Sequence, residues 1–378
     1  MGEQNMTDST IGFIGLGLIG GSIARAIKRR QPQVRIMAYM RTRARLEQAK
    51  ADGIVDVILE GIGDQLSQCD LIFLCTPVEY NAQYLTAIRP YLKEGALITD
   101  VGSTKTSIHE EIARQGLEDR FVGGHPMAGS EKTGYENSSD HLLENAYYIV
   151  TPPVGTDGSL PFEEQPENVR RILAVARIIG AIPMVLDYRE HDRVVAAISH
   201  LPHLIASSLV NLVRDSDTPA GTMKRVAAGG FKDITRIASS SPEMWEQICM
   251  TNTLPIAEVL ERYIASLNQV LDQIRGRDSE GIYKLFETSR DYRNSITERA
   301  RGPLEPAYEF SVDVVDEVGS ISTISVILAA KGISIKNIGI NNNREHGEGA
   351  LKIAFYDQES MEAAWKHLDK YKYEMFRV

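Results

Sequence analysis

His125 stands in Gly123-Gly124-His125-Pro126-Met127-Ala128-Gly129-Ser130-Glu131, with two glycines ahead of it and a proline behind, at the end of a short apolar run. Packing does not call for glycines beside a histidine, whereas close approach of backbone to a ligand does. A neutral imidazole at a strand end can take a proton from a substrate hydroxyl while hydride leaves the same carbon, which is general-base chemistry. Upstream, Asp100-Val101-Gly102-Ser103-Thr104-Lys105 joins a strand end to a helix start. Ser103 is there suited to capping the helix or to pairing with His125. In Ser199-His200-Leu201-Pro202-His203 two histidines share a helical face, but no cysteine or carboxylate pattern makes them a metal site. His200 is assigned to the substrate, and His203 suits packing equally well. Arg236, on the turn-rich stretch Gly229 to Ala238 that leads to Pro242 and Trp245, can hold a carboxylate or simply face solvent.

Gly15-Leu16-Gly17-Leu18-Ile19-Gly20 follows the apolar run IGFI and precedes a helical pattern, the context in which GxGxxG binds a dinucleotide. Gly15 permits the tight turn, Gly17 admits a pyrophosphate, and Gly20 lets helix and strand pack closely. Thr76 and Pro77, which close the run DLIFLCTP, join these six residues as expected cofactor contacts. An acid that would accept from the ribose hydroxyls is missing: Met40 takes its place, followed by Arg41, Thr42, Arg43 and Arg45. Arginines there could pair with a 2′-phosphate, so residues 40–45 lean towards NADP, although a solvated basic helix start would look the same.

These residues need elements to carry them. From Ile11 to Tyr188 short apolar runs alternate with amphipathic stretches, which predicts a parallel sheet covered on both faces. Beyond Tyr188 the apolar residues keep helical spacing over 192–215, 242–275 and 279–299, which predicts an all-α domain. After Arg301-Gly302-Pro303 the order βαββαβ in about seventy residues predicts a ferredoxin-like sandwich.

Composition narrows the field. The chain has 378 residues, 43% of them hydrophobic, with 41 Lys plus Arg against 51 Asp plus Glu. A formal charge of −10 gives no general attraction to nucleic acid or anionic lipid. Cys69, Cys75 and Cys249 form no CxxC, and with an N-terminus that lacks signal-peptide features they suggest a reducing cytoplasm. Val194 to Val213 has twenty residues without Lys, Arg, Asp or Glu, yet its histidines, serines, Pro202 and Asn211 favour a buried helix over a membrane span.

Taken together, GLGLIGGS at 15–22, DVGSTK at 100–105, GGHPMAGSE at 123–131, SHLPH at 199–203, and GGFKDITRIA at 229–238 followed by Met244-Trp245 resemble the prephenate dehydrogenase family. The resemblance implies a Rossmann-type NAD(P)-binding domain over 8–188, an all-α dimerisation and substrate domain over 189–300, and an ACT regulatory domain over 305–378. It implies oxidative decarboxylation of prephenate to 4-hydroxyphenylpyruvate in tyrosine biosynthesis by a metal-free homodimer, with NAD the family's usual cofactor. In that scheme His125 bonds the ring hydroxyl with Ser103 in support, Arg236 holds a substrate carboxylate, and His200, Ser130 and Trp245 complete the substrate set. Asp316, Gly319 and Ser320 would face an effector, with L-tyrosine expected to lower activity. The nearest rival is arogenate dehydrogenase, and a β-hydroxyacid dehydrogenase would leave HPMAGSE unexplained. A non-catalytic sensor of amino acid and redox state is the alternative of a different class.

Overall fold

The computed structural model describes residues 9–129, 132–153, 160–299, 308–314, 317, 319–340 and 351–377. The chain forms two compact units, Met1–Gln269 and Val270–Val378. The first begins with β1 (Thr10–Ile14), α1 (Leu18–Arg30), β2 (Arg35–Tyr39), α2 (Arg43–Ala51), β3 (Val57–Ile58), β4 (Leu71–Leu74), α3 (Asn81–Ile88), β5 (Leu97–Asp100) and α4 (Thr106–Gln115). These strands make one parallel sheet in the order β3-β2-β1-β4-β5. Its central strands are apolar on both faces because helices cover both. On one side Ile11 and Phe13 share a core with Ile23 and Ile27 of α1, and on the other Ile14, Ile72 and Leu74 pack with Leu85, Ile88, Ile108 and Ile112 of α3 and α4. The strand order reverses between β1 and β4, and the crevice at such a point is where doubly wound sheets take ligands.

The strand that carries His125 departs from the expected single parallel sheet. β6 (Gly123–Pro126), β7 (Tyr147–Thr151), α5 (Glu167–Ile178) and β8 (Ile182–Val185) follow, and β6 pairs antiparallel with β7 in a separate three-stranded sheet. The long segment between β6 and β7 lets the chain reverse without a crossover helix.

Asp187 then caps α6 (Tyr188–Val195), its carboxylate accepting from the N–H groups of Arg189 at 2.8 Å and Glu190 at 3.1 Å. A π-helical turn, Ala196–His200, separates α6 from α7 (Leu201–Ser216). Pro202 lies in the first turn of α7 and has no N–H, so the hydrogen-bond ladder changes there without stranding a donor. Tyr188–Ser216 is long and apolar enough to cross a membrane by length and composition alone. His191, Asp192 and His200 are buried, but only 28% of its apolar stretch is, with Ile198 and Leu212 exposed, so the helix is less buried than the sequence predicts. α8 (Thr222–Val226), α9 (Gly229–Thr235), α10 (Pro242–Thr251) and α11 (Thr253–Arg275) complete the helices that begin in this unit, with Asn252 dividing the expected 242–275 helix.

In the second unit, α12 (Ser279–Arg299) precedes β9 (Tyr308–Val312), α13 (Ser320–Ala329), β10 (Ile335–Ile340), β11 (Leu351–Phe355), α14 (Gln358–Asp369) and β12 (Met375–Arg377). The strands form an antiparallel sheet in the order β10-β11-β9-β12. Phe310, Val312, Leu351, Ile353 and Phe355 pack with Ile324 and Leu328 of α13 and Ala364 and Leu368 of α14, which puts both helices on one face.

One buried ion pair ties the sheets of the first unit together. The Lys105 ammonium meets the Asp100 carboxylate, both side chains being fully buried. The same carboxylate accepts from Gly102 N at 2.9 Å and from Gly124 N, in β6, at 3.2 Å. Lys105→Met would leave that carboxylate buried without its cation, a loss of about 3–5 kcal/mol. The expected outcome is a lower urea midpoint at an unchanged slope.

Candidate active site

The glycine turn has the shape a dinucleotide requires. Gly15 holds φ +91°, and a Cβ there would lie 2.7 Å from the Cys75 carbonyl oxygen. A Cβ on Gly20 would lie 2.8 Å from the Gly15 oxygen, whereas one on Gly17 would meet nothing within 4 Å. Open space at Gly17 therefore leads to the start of α1, whose first turn has no side-chain cap and no acid. Such a helix end offers N–H groups and partial positive charge to a phosphate, so the residues fit a bound NAD(P). Thr76 lies beside the turn, its methyl 3.2 Å from the Gly15 Cβ position, and its hydroxyl donates to Asn81 Oδ1 at 3.1 Å. Leu16 is fully buried in the core, so only its backbone can serve a cofactor.

The basic run after β2 is largely spent on carboxylates. Arg43 pairs with Glu60 at 2.6 Å and Glu47 at 3.2 Å, and Arg45 with Glu136 at 2.8 Å. Arg41 lies 5.6 Å from the centre of the Tyr80 ring. Of the three expected phosphate ligands, Arg41 is the one with no carboxylate partner among the described residues.

Around His125 the partners are not those expected. Its Nδ1 lies 2.8 Å from His191 Nε2, and His191 Nδ1 lies 2.8 Å from Asp192 Oδ1. Asp192 also accepts the N–H groups of Lys105 and Thr106, each at 2.8 Å, and so caps α4 from a distant part of the chain. Burial opposes its charge, but the bonds from His191 and Thr106 outweigh that and hold the carboxyl below its usual range. A carboxylate can only accept, which sets both ring tautomers. His191 donates through Nδ1, its Nε2 accepts from His125 Nδ1–H, and His125 is left with a lone pair on Nε2. Burial first, then the neighbouring His191, Lys105 and His200, push His125 well below the ordinary histidine value, so it is neutral at physiological pH. Among the described residues Ser103 makes no hydrogen bond to the start of α4 or to His125. Asp192 caps α4 and His191 supports His125.

The two helical histidines sit in different surroundings. His200 is 1% exposed and accepts from Asn252 Nδ2 at 3.1 Å, while the same amide donates to the Asp192 carbonyl at 2.8 Å. It is a packed histidine, pushed down to about 4, first by burial. His203 is half-buried, stacks on Trp245 with centroids 3.8 Å apart, and donates through Nδ1 to the Ser199 carbonyl at 2.8 Å. That bond leaves Nε2 as an acceptor. Arg236, exposed at the end of α9, lies close enough to help depress the His203 pKa after burial. Trp245 thus stands beside His203, and its buried indole N–H has no hydrogen-bond partner among the described residues. Ser130 lies outside the described residues.

Sequence patterns of two prephenate dehydrogenase domains match the chain, the nucleotide-binding domain over residues 23–160 and the dimerization domain over 187–288. The prephenate dehydrogenase of Bacillus subtilis (strain 168) is 37% identical over 377 residues, 99% of each chain. The chain belongs to the prephenate dehydrogenase family. A crystal structure of the family from A. aeolicus, in complex with hydroxyphenyl propionate and NAD+, has 30% identity and a TM-score of 0.71, covering 78% of this chain and all of its own. The Synechocystis arogenate dehydrogenase structure has 28% identity and a TM-score of 0.67, covering 76% and 99%. The architecture shared with these relatives is a Rossmann-like nucleotide-binding domain followed by helices.

Within this family member, His191, Asp192, Lys105 and Asn252 escaped sequence reading. A signal was present for one of them: Asp192 is an acid inside an amphipathic helix, on the face that the apolar spacing turns inward. Asp192→Asn removes the acceptor-only group and lets His191 rotate its tautomer. The expected result is a fall in kcat of up to about 10²-fold with little change in substrate KM, within the range general-base catalysis supplies. Because His125 stays neutral as pH falls through 6.5, the acid limb of wild-type kcat/KM should lie below that value. An acid limb above it would contradict the assignment.

Proposed function

We propose that this chain catalyses the NAD(P)+-dependent oxidative decarboxylation of prephenate to 4-hydroxyphenylpyruvate, with His125 as its proton acceptor. The observation that carries the reading is His125 Nε2, without a partner among the described residues, at the end of a chain anchored on Asp192, in a family member with an open dinucleotide cradle. The nicotinamide, when bound, accepts hydride from the ring carbon that bears the hydroxyl. His125 Nε2 takes the hydroxyl proton as that carbon becomes a carbonyl, and the proton returns to the oxygen when loss of carbon dioxide makes the ring aromatic. Arg236 would orient a carboxylate, and the His203 and Trp245 faces would hold the substrate side chain. Gly15, Gly17, Leu18, Ile19, Gly20, Thr76 and Pro77 would hold the cofactor.

With Arg43 and Arg45 committed to carboxylates, NAD+ is the cofactor this reading favours, and Arg41 is the arginine it would assign to a 2′-phosphate. Cytoplasmic placement is supported by three free cysteines. A homodimer is supported by exposed apolar side chains on the long helices, among them Leu254 (76%) and Phe286 (69%). We further propose that the βαββαβ module is an ACT-type domain that takes L-tyrosine, with Gly319, at φ +98°, opening α13 and Ser320 following it. Asp316 lies outside the described residues.

Prephenate with NAD+ should give NADH and carbon dioxide in equal amounts, and arogenate little. His125→Asn should retain cofactor binding and lose about 10²–10⁴-fold in kcat. Equal turnover of arogenate would turn the reading to the amino-acid substrate, and no turnover of either would turn it to a sensor. If NADP+ proves the better cofactor, Arg41→Ala should abolish the preference. Gly319→Ala, strained at a positive φ, should weaken tyrosine inhibition while turnover persists. Unchanged inhibition would place tyrosine at the active site.

A further inference from the structure

The glycine motif continues one residue pair beyond cofactor binding, as Gly21-Ser22, and that pair faces the segment between β6 and β7. A Cβ on Gly21 would lie 2.8 Å from Ser138 Oγ and 3.0 Å from Tyr135 Cδ2. Ser22 Oγ accepts from Ser139 N at 3.0 Å while donating to Leu18 O, in the first turn of α1, at 2.7 Å. One turn on, the Arg25 guanidinium lies 4.5 Å from the Tyr135 ring centre, donates to Ser138 Oγ at 2.9 Å and pairs with Asp52 at 2.6 Å. Tyr135 is fully buried, and its hydroxyl donates to the same Asp52 carboxylate at 2.8 Å. Farther along α1, Arg29 reaches Asp140 at 3.2 Å and Arg30 reaches Glu144 at 2.9 Å. The segment's base is closed by Met127 N donating to Tyr147 O at 2.7 Å, directly beside the His125 strand.

The helix whose N-terminus faces the dinucleotide is therefore gripped along its length by the segment that leads from the catalytic strand. Tyr135 also belongs to the core that packs α1 on β1, but Gly21 is unneeded for the turn, which Gly15, Gly17 and Gly20 already form. We propose that Tyr135, held by Arg25 and Asp52 against Gly21-Ser22, is a positioning residue that makes cofactor binding and substrate binding mutually reinforcing. The inference rests on the proposed function, since it assigns a substrate to the His125 side of the clamp. Dinucleotide that fixes the first turn of α1 also fixes the segment docked on it, and linkage requires the effect to be reciprocal.

The test measures Kd for NAD+ by quenching of tryptophan fluorescence, with and without saturating 4-hydroxyphenylpyruvate, in wild type, Tyr135→Phe and Gly21→Ala, beside thermal unfolding and prephenate KM. Wild type should bind NAD+ about fivefold or more tightly when the product is present. Gly21→Ala, whose methyl displaces Ser138 and Tyr135, should bring that ratio close to one and raise prephenate KM, leaving Kd for NAD+ alone unchanged. Tyr135→Phe keeps the ring and loses only the hydroxyl, so it tests the clamp even if Gly21→Ala fails to fold, and it should lower the ratio part of the way. A variant that loses thermal stability while keeping the wild-type ratio shows a purely structural clamp and overturns the proposal. A wild-type ratio near one with prephenate turnover intact overturns it too, and leaves the proposed function standing.

Discussion

A single buried carboxylate organises this protein's chemistry. Asp192 receives the two N-terminal N–H groups of α4, the Nδ1–H of His191 and, through its own backbone carbonyl, the Asn252 amide. A buried charge is tolerated only when its oxygens are filled with donors, and here the donors come from the start of α4 and from His191, while the Asp192 carbonyl takes the Asn252 amide. The nucleotide-binding sheet contributes α4, the catalytic strand is reached through His191, and the junction of α10 with α11 arrives through Asn252. Placing one anion thus fixes the entry of a helix, the tautomer of the acceptor histidine and the seat of His200.

Much of the architecture was legible because it is written in local periodicity. The β1 strand, the glycine turn and α1 are contiguous, and so is the βαββαβ order after residue 308. The partners of His125 were not legible, because they come from 66 and 67 positions away. Ser103 was a reasonable cap by local chemistry, but a helix start can be satisfied by any acceptor that tertiary structure brings to it, and Asp192 arrived first. Arg43 and Arg45 looked like phosphate ligands for the same reason. Glu47 is near in sequence, while Glu60 and Glu136 could be matched to them only in three dimensions.

His200 and His203 make the point at finer grain. Spacing of three residues places two side chains on one helical face but does not say which is turned inward. Asn252 decides that, by presenting an amide to one ring, and Trp245 by stacking on the other. Both deciding residues lie more than forty positions downstream.

The π-helical turn at Ala196–His200 has a consequence for how this segment can vary in length. A π turn accommodates one residue more than an α turn over the same rise. Each residue of helix corresponds to about 100° of rotation, so deleting one residue here would swing the rings of His200 and His203 around the helix axis relative to His191 and Asp192. The turn therefore works as a frame marker: its exposed side chains, Ala197 and Ile198, can be exchanged, but the number of residues between Asp192 and His203 is fixed by geometry.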